Sequence, residues 1–430
     1  MTRSLRLAWL LALLAAFPVA AQPSWQAVPG SPFHSYRFED AAFLSPARGW
    51  IVDGSGETYE TADGGDTWTL RSDLANTYLR TTAFVRPDLG WAGVLYGPEA
   101  LLETSDGGLT FTDISARISP AMPSGAGICG LFAHSETDVW GVGQWNGPGY
   151  AIHTTDGGQT WSRRDLSALA GSLVDVYFHD ALRGIAVGGT DNVNNGSRAV
   201  VLGTDDGGQT WSRRFVSSGD DTVAEWAWKI SFPTPDVGYV SVEYLGDTQD
   251  GKVLKTTDGG QTWTELRVPG GGSMQGLGFL TPLIGWTSGR GRAMRTLDGG
   301  ETWAQVTDID NSVNRFEFFG DSLGYAMGRR VFRLAGATTD TSGPPPPTAL
   351  RLSASPNPAR GDVVLAYTSP DAPARLTVTD ALGRRVAELD GPAGADRQVT
   401  WQASGLAPGA YAIRLSSGAD HLTRRLILVR

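Results

Sequence analysis

Six near-copies of one eight-residue string, Thr-x-Asp-Gly-Gly-x-Thr-Trp, recur along this chain and narrow its possible folds sharply. They span Thr61–Trp68, Thr104–Phe111, Thr154–Trp161, Thr204–Trp211, Thr256–Trp263 and Thr296–Trp303. Their aspartates, Asp63, Asp106, Asp156, Asp206, Asp258 and Asp298, lie 43, 50, 50, 52 and 40 residues apart. A period of about 40–50 residues, with β-rich sequence between copies, points to a propeller or a similar array. The string itself is a hairpin device. Adjacent glycines supply the positive φ of a tight turn, and the carboxylate can accept bonds from backbone N–H groups of its own turn. The closing aromatic opens the next strand and buries a large apolar face. The six aspartates are therefore expected to be structural.

A second repeat sets the number of units. A Phe is followed at near-constant spacing by Gly or Val and usually an aromatic: Phe43 with Gly49-Trp50, Phe84 with Gly90-Trp91, Phe132 with Val139-Trp140, and Phe178 with Gly184-Ile185. Phe232 with Gly238-Tyr239, Phe279 with Gly285-Trp286, and Phe318 with Gly324-Tyr325 complete the set. Each unit reads as four short strands, which makes seven blades. The seventh unit stops at Val331–Leu334 and lacks its last strand, while Trp25-Gln26-Ala27-Val28 resembles the strand Trp303–Val306 that follows a box. Trp25–Val28 is therefore expected to complete blade seven and to protect the edges of the ring.

Outside residues 22–334 the character of the chain changes. Arg3 and Arg6 precede an apolar run, and Val19-Ala20-Ala21 suits a cleavage site, so residues 1–21 read as a signal peptide. A single cysteine, Cys129, leaves no internal disulfide and lies in an apolar stretch, where a buried small hydrophobe is expected. Residues 335–349 form a linker containing four consecutive prolines, which favour an extended spacer. Residues 350–430 carry ten arginines against seven acids. The chain as a whole has a net charge of −10, so the propeller is strongly acidic. That balance argues against nucleic acid as a partner.

The last eighty residues show short alternating strands separated by Gly/Pro turns, enough for a small Ig-like β-sandwich. Their ordered motifs are Ser355-Pro356-Asn357-Pro358, Leu382-Gly383-Arg384-Arg385, Leu406-Ala407-Pro408-Gly409-Ala410-Tyr411 and the terminal Leu426–Arg430. In this order they resemble the C-terminal sorting domain of the type IX secretion system. The resemblance implies type IX secretion machinery as a partner, export through the periplasm, and a final place in the medium or on the outer cell surface. The eight-residue repeats resemble Asp boxes, also called BNR repeats, which in sialidases, some glycoside hydrolases and sortilin-type receptors are structural elements of the outer edge. Over residues 25–334 the pattern is similar to the photosystem II stability and assembly factor family. That resemblance implies a scaffold acting through an arginine-rich surface.

No catalytic, cofactor or metal residue stands out. The chain lacks His-Glu-x-x-His, Gly-x-Ser-x-Gly and a dinucleotide-binding glycine string. His134 and His179 fall in equivalent turns of neighbouring blades, and Asp191–Gly196 lacks the ligand alternation of a calcium loop. The Arg-Ile-Pro motif of sialidases is missing, and Tyr36-Arg37-Phe38 is only its nearest string. A glycoside hydrolase, sialidase-like or other, remains the alternative, because paired carboxylates could meet in the central channel. The leading expectation is a non-catalytic binding or scaffold module for a glycan, peptide or protein. Its contact face is placed on the loops Gln144–Tyr150, Gly188–Arg198 and Glu243–Lys252, with Trp145, Tyr150, Asn194, Trp226, Tyr244 and Asp247 as candidate contacts and Trp228 beside them.

Overall fold

The computed structural model describes residues 23–430 except 145–146, 192–195, 219–223, 246–249, 321–322, 336–350, 356–358, 370–372, 381–383, 393, 418–419 and 429–430. The expected signal peptide lies outside the described residues, as does all of the expected linker except Ala335. The chain divides into two compact units, one ending at Thr339 and the other running from Asp340 to Arg430.

The first unit is a ring of seven antiparallel sheets. Apart from the outermost strands of blades 3 and 7, the strands of each sheet, here a to d from the axis outward, follow chain order. Blade 1, for example, runs Phe38–Ser45, Arg48–Asp53, Glu57–Thr61 and Thr69–Asp73. Blade 7 has Arg315–Phe319, Leu323–Met327 and Val331–Ala335 as strands a to c, and its outer strand is Ser24–Ala27. Trp25 pairs with Leu334 and Ala27 with Phe332, while the Val28 N–H donates to the Val331 carbonyl. The two ends of the ring are thus tied by one sheet. Blade 3 departs from the four-strand pattern. Ile118–Ser119, from the long connection out of blade 2, adds a short parallel strand beside Trp161–Ser162, where Ile118 joins the Trp161 core cluster.

The spacing of the repeats has a physical origin. Phe43 pairs with Gly49 across strands a and b, and a Cβ on Gly49 would lie 2.4 Å from the Phe43 ring. The same clash arises between Gly90 and Phe84, Gly184 and Phe178, Gly238 and Phe232, Gly285 and Phe279, and Gly324 and Phe318. The residue after that glycine then reaches the next blade. Trp50 stacks on Phe84 at 3.9 Å and donates to the Gly107 carbonyl of box two. Tyr239 stacks on Phe279 at 3.5 Å and donates to Gly299. Tyr325 closes the ring by stacking on Phe43 at 4.8 Å and donating to Gly64. Both repeats therefore belong to one latch between blades.

The boxes themselves are internally satisfied. In box one, Asp63 Oδ1 accepts the Thr67 N–H and the Thr61 hydroxyl, and Oδ2 accepts the Thr67 hydroxyl. The other five boxes repeat these bonds. Hydrogen bonds from the second threonine hold the Asp63, Asp106 and Asp206 carboxyls down at about 2, and at Asp156 the backbone N–H of Thr160 leads. Each box leans on the a–b turn of its own blade, as in the Gly64 N–H to Ala47 bond.

The second unit packs a sheet of Arg351–Ser355, Val363–Ser369 and Gly394–Trp401 with a second sheet of four strands. The second sheet runs Arg385–Gly391, Ala374–Asp380, Gly409–Ser417 and Asp420–Leu428 in spatial order. A single core, with Leu365, Leu376, Ile413, Leu415 and Leu426 fully buried, joins the two sheets.

Candidate functional site

The a strands put a charged network on the axis of the ring. When the seven units are aligned on their repeated Phe, two positions stand out. Three residues before it come Asp40, Thr81, Cys129, Asp175, Lys229, Gly276 and Arg315, and four before it come Glu39, Arg80, Ile128, Val174, Trp228, Gln275 and Asn314. In four blades a register shift falls at these positions, between Phe38 and Asp40, Leu79 and Thr81, Leu173 and Asp175, and Ala227 and Ile230. Such bulges re-aim side chains, here toward the axis.

The resulting contacts cross the ring. Arg315 of blade 7 donates to Asp40 of blade 1 at 2.5 Å and to Asp175 of blade 4 at 3.4 Å. Asp40 Oδ2 also accepts the Thr81 hydroxyl and the Thr82 N–H, and Asp175 Oδ2 accepts the Ile230 N–H. In the neighbouring layer Trp228 donates to Asn314 and lies under the Arg80 guanidinium at 5.2 Å, while Asn314 donates to the Glu39 carbonyl. Both channel aspartates are thus buried, and each of their oxygens already accepts a hydrogen bond. Although burial opposes its charge, Arg315 beside it holds the Asp40 carboxyl at about 2. Glu317 is the exception, because burial pushes its carboxyl up to about 7 despite Arg315.

Glu317 therefore gives stability a definite pH dependence. Its folded-state affinity for a proton exceeds that of an ordinary carboxyl at 4.5, so its contribution is full below about 4.5 and is lost as pH rises through about 7. The loss is at most about 3 kcal/mol. Urea unfolding at pH 5 and pH 8 should show Glu317→Gln gaining on wild type at the higher pH. An unchanged difference would contradict this assignment.

The channel mouth opens on the face of the b–c loops and blade connections. Arg37 pairs with Glu39 at 3.0 Å and also reaches Gln275, which donates to Glu243 at 2.6 Å. Arg290 meets Glu243 at 3.2 Å, and the Tyr78 hydroxyl donates to Glu39 at 2.8 Å. Exposed rings stand beside this cluster. Tyr36 is 75% exposed, and Tyr96, edge-on to Tyr78 at 5.7 Å, is 52% exposed.

The loop residues expected to make contacts fare differently. Trp145, Asn194 and Asp247 lie outside the described residues. Tyr150, Trp226 and Tyr244 are corrected from contact residues to packing residues. Tyr150 is buried and donates to the Gly127 carbonyl, Trp226 is 1% exposed, and Tyr244 is buried against blade 6 with its N–H on Ser273. Strand pairing continues further than the loop composition suggests, to Gly143 and Leu245, and resumes at Tyr150 and Gly251. These rings therefore fall inside sheets. Trp228 is likewise buried. His134 and His153 share the Asp138 carboxylate at 3.2 and 2.7 Å, whereas His179 packs on Tyr177 and Phe232. Among the described residues no group of three or more His, Cys, Asp or Glu could hold a metal. No described helix is long and apolar enough to cross a membrane.

Fold and repeats define an Asp-box propeller joined to a β-sandwich tail. The comparisons agree for each part. Residues 17–125 match the family Photosynthesis system II assembly factor YCF48, residues 152–163 match the BNR/Asp-box repeat, and residues 353–429 match the Secretion system C-terminal sorting domain. A search of curated proteins finds no match. Among solved structures, YCF48 from Cyanidioschyzon merolae is similar over 72% of this chain and 98% of its own, at 21% identity and a TM-score of 0.55. A structure described as YCF48 bound to D1 peptide covers 72% and 96%, at 20% identity and a TM-score of 0.53. PorZ, a surface component of the type IX secretion system of Porphyromonas gingivalis, is similar over 91% of this chain and 59% of its own, at 13% identity and a TM-score of 0.51. A GH74 xyloglucanase from Xanthomonas campestris has 12% identity and the same TM-score, over 93% of this chain and 75% of its own. The protein is thus a propeller carrying a type IX sorting tail, which directs it to the cell surface or the medium. In a host with that machinery, removing residues 350–430 should leave a folded propeller in the periplasm. Cell fractionation checks this, and undiminished export would contradict it.

Proposed function

We propose that this protein is an exported, non-catalytic binding scaffold that holds a peptide segment of its partner at the channel mouth. The observation that carries the reading is the contrast between the two levels of the axis. Inside the channel every oxygen of Asp40 and Asp175 is engaged by Arg315, Thr81 and backbone N–H groups, so neither can act as nucleophile or base toward a sugar. At the mouth, Tyr36 and Tyr96 are exposed, Tyr36 next to Arg37 in the chain and Tyr96 edge-on to Tyr78, and half-exposed Arg290 adds a fork-shaped donor, a mixture suited to an extended peptide. The peptide-bound YCF48 structure has the same fold, which supports a peptide over a glycan. The GH74 neighbours share that fold without lending this chain a free carboxylate pair.

Tyr36→Ala combined with Tyr96→Ala tests the reading. Both rings are largely exposed, so Tm should move little, while affinity for captured peptide should fall by about 2 kcal/mol or more, roughly thirtyfold. Peptide and glycan arrays probed with wild type and the double variant measure this. Retention on glycans alone would replace the peptide with a sugar, and equal binding by both proteins would move the site.

A further inference from the structure

Two buried cations in the channel have ion-pair partners but, among the described residues, no hydrogen bond at their terminal nitrogens. The side chains of Arg80 and Lys229 are 3% and 1% exposed. They come from the bulged a strands of blades 2 and 5. Neither terminal nitrogen of Arg80, nor Lys229 Nζ, makes a hydrogen bond among the described residues. Glu39 lies 3.5 Å from Arg80, as an ion pair without a hydrogen bond, and Asp40 lies 4.0 Å from Lys229, at the limit of ion pairing. Both carboxylates are already taken. Glu39 accepts from Arg37, Tyr78 and Asn314, and Asp40 accepts from Arg315, Thr81 and Thr82.

A buried cation with unused N–H groups is costly unless something accepts them. The charges around the pair give that acceptor a sign. Arg37, Arg80, Lys229 and Arg315 face Glu39, Asp40, Asp175 and Glu317, and Glu317 carries a proton up to about 7. The unbonded N–H groups of Arg80 and Lys229 are all donors on cations, so the acceptor that suits them is an anion.

We propose that the propeller channel binds one small monovalent inorganic anion, chloride in ordinary media, between Arg80 and Lys229. A sphere of single charge imposes no fixed bond directions, so it can accept from a guanidinium and an ammonium on different blades. The Trp228 ring covers one side of Arg80 and would shield the ion from water. Phosphate or sulfate would place two charges beside Asp40 and Glu39, which that chemistry disfavours.

The test uses the full chain. At pH 6 and fixed ionic strength, replacing gluconate with chloride should raise Tm by about 2–4 °C in a saturable way. Lys229→Met should abolish the increment. Wild-type crystals grown in bromide should show an anomalous peak within hydrogen-bonding reach of Arg80 and Lys229, a readout that does not depend on any variant folding. Water alone at that position, a shift that gluconate reproduces, or an increment retained in Lys229→Met would overturn the proposal.

Discussion

Deleting residues 22–29 is expected to abolish cooperative unfolding of the propeller near its normal Tm. The deletion removes the outer strand of blade 7, whose pairing with Val331–Ala335 is the joint between the first and last segments of the ring. It also removes Trp25, which is buried against Trp286 at 5.3 Å and Phe316 at 5.6 Å. The Trp25 N–H donates to Asp308 at 2.8 Å, so a buried edge would be left open as well. Trp25→Ala alone should cost about 3–5 kcal/mol, a large part of a typical domain stability of about 5–15 kcal/mol. Calorimetry of the deletion and the point variant checks both. A deletion melting within a degree or two of the parent would refute the closure.

Arg315→Met should be nearly as damaging. Its guanidinium answers Asp40 and Asp175 from opposite parts of the ring, and both carboxylates are buried. Removing one partner of a buried charge set leaves the others uncompensated, at a cost of about 3–5 kcal/mol. The freed Asp40 carboxyl should also rise from about 2, so the variant should lose stability at a higher pH on acidification than wild type. Urea unfolding between pH 3 and pH 7 measures both effects. A cost below about 1 kcal/mol would show that Arg315 is dispensable to the two acids.

The ring and its closure were legible because each rests on a repeat. The boxes, the Phe-to-Gly spacing and the likeness of Trp25–Val28 to a post-box strand all encode contacts between blades, which recur seven times around an axis. The channel was harder to see. Asp175 and Lys229 are single charges within apolar runs, which read as ordinary core strands, and Asp40 and Arg315 stand in mixed segments that read as strand starts. Alignment of the seven units on their Phe would have exposed them as one layer, since all four stand three residues before it. The burial of three expected contact residues was hard to read for a different reason. Tyr150, Trp226 and Tyr244 sit next to Gly- and Asn-rich stretches, but strand ladders extend through them and carry their rings inward. The exposed rings Tyr36 and Tyr96 lie outside the three lengthened b–c loops. Tyr36 lies in the connection between Ser24–Ala27 and Phe38–Ser45, and Tyr96 in the b–c loop of blade 2, between Gly90–Val94 and Leu101–Thr104.

The most direct test of a non-catalytic scaffold working at the channel mouth is one equilibrium binding titration, run by calorimetry on the whole protein with a peptide recovered from the array. Wild type should bind it saturably and leave it chemically unchanged, and Tyr36→Ala with Tyr96→Ala should weaken it roughly thirtyfold at unchanged Tm. Cleavage of the ligand during the titration, or equal affinity in the double variant, would contradict the account.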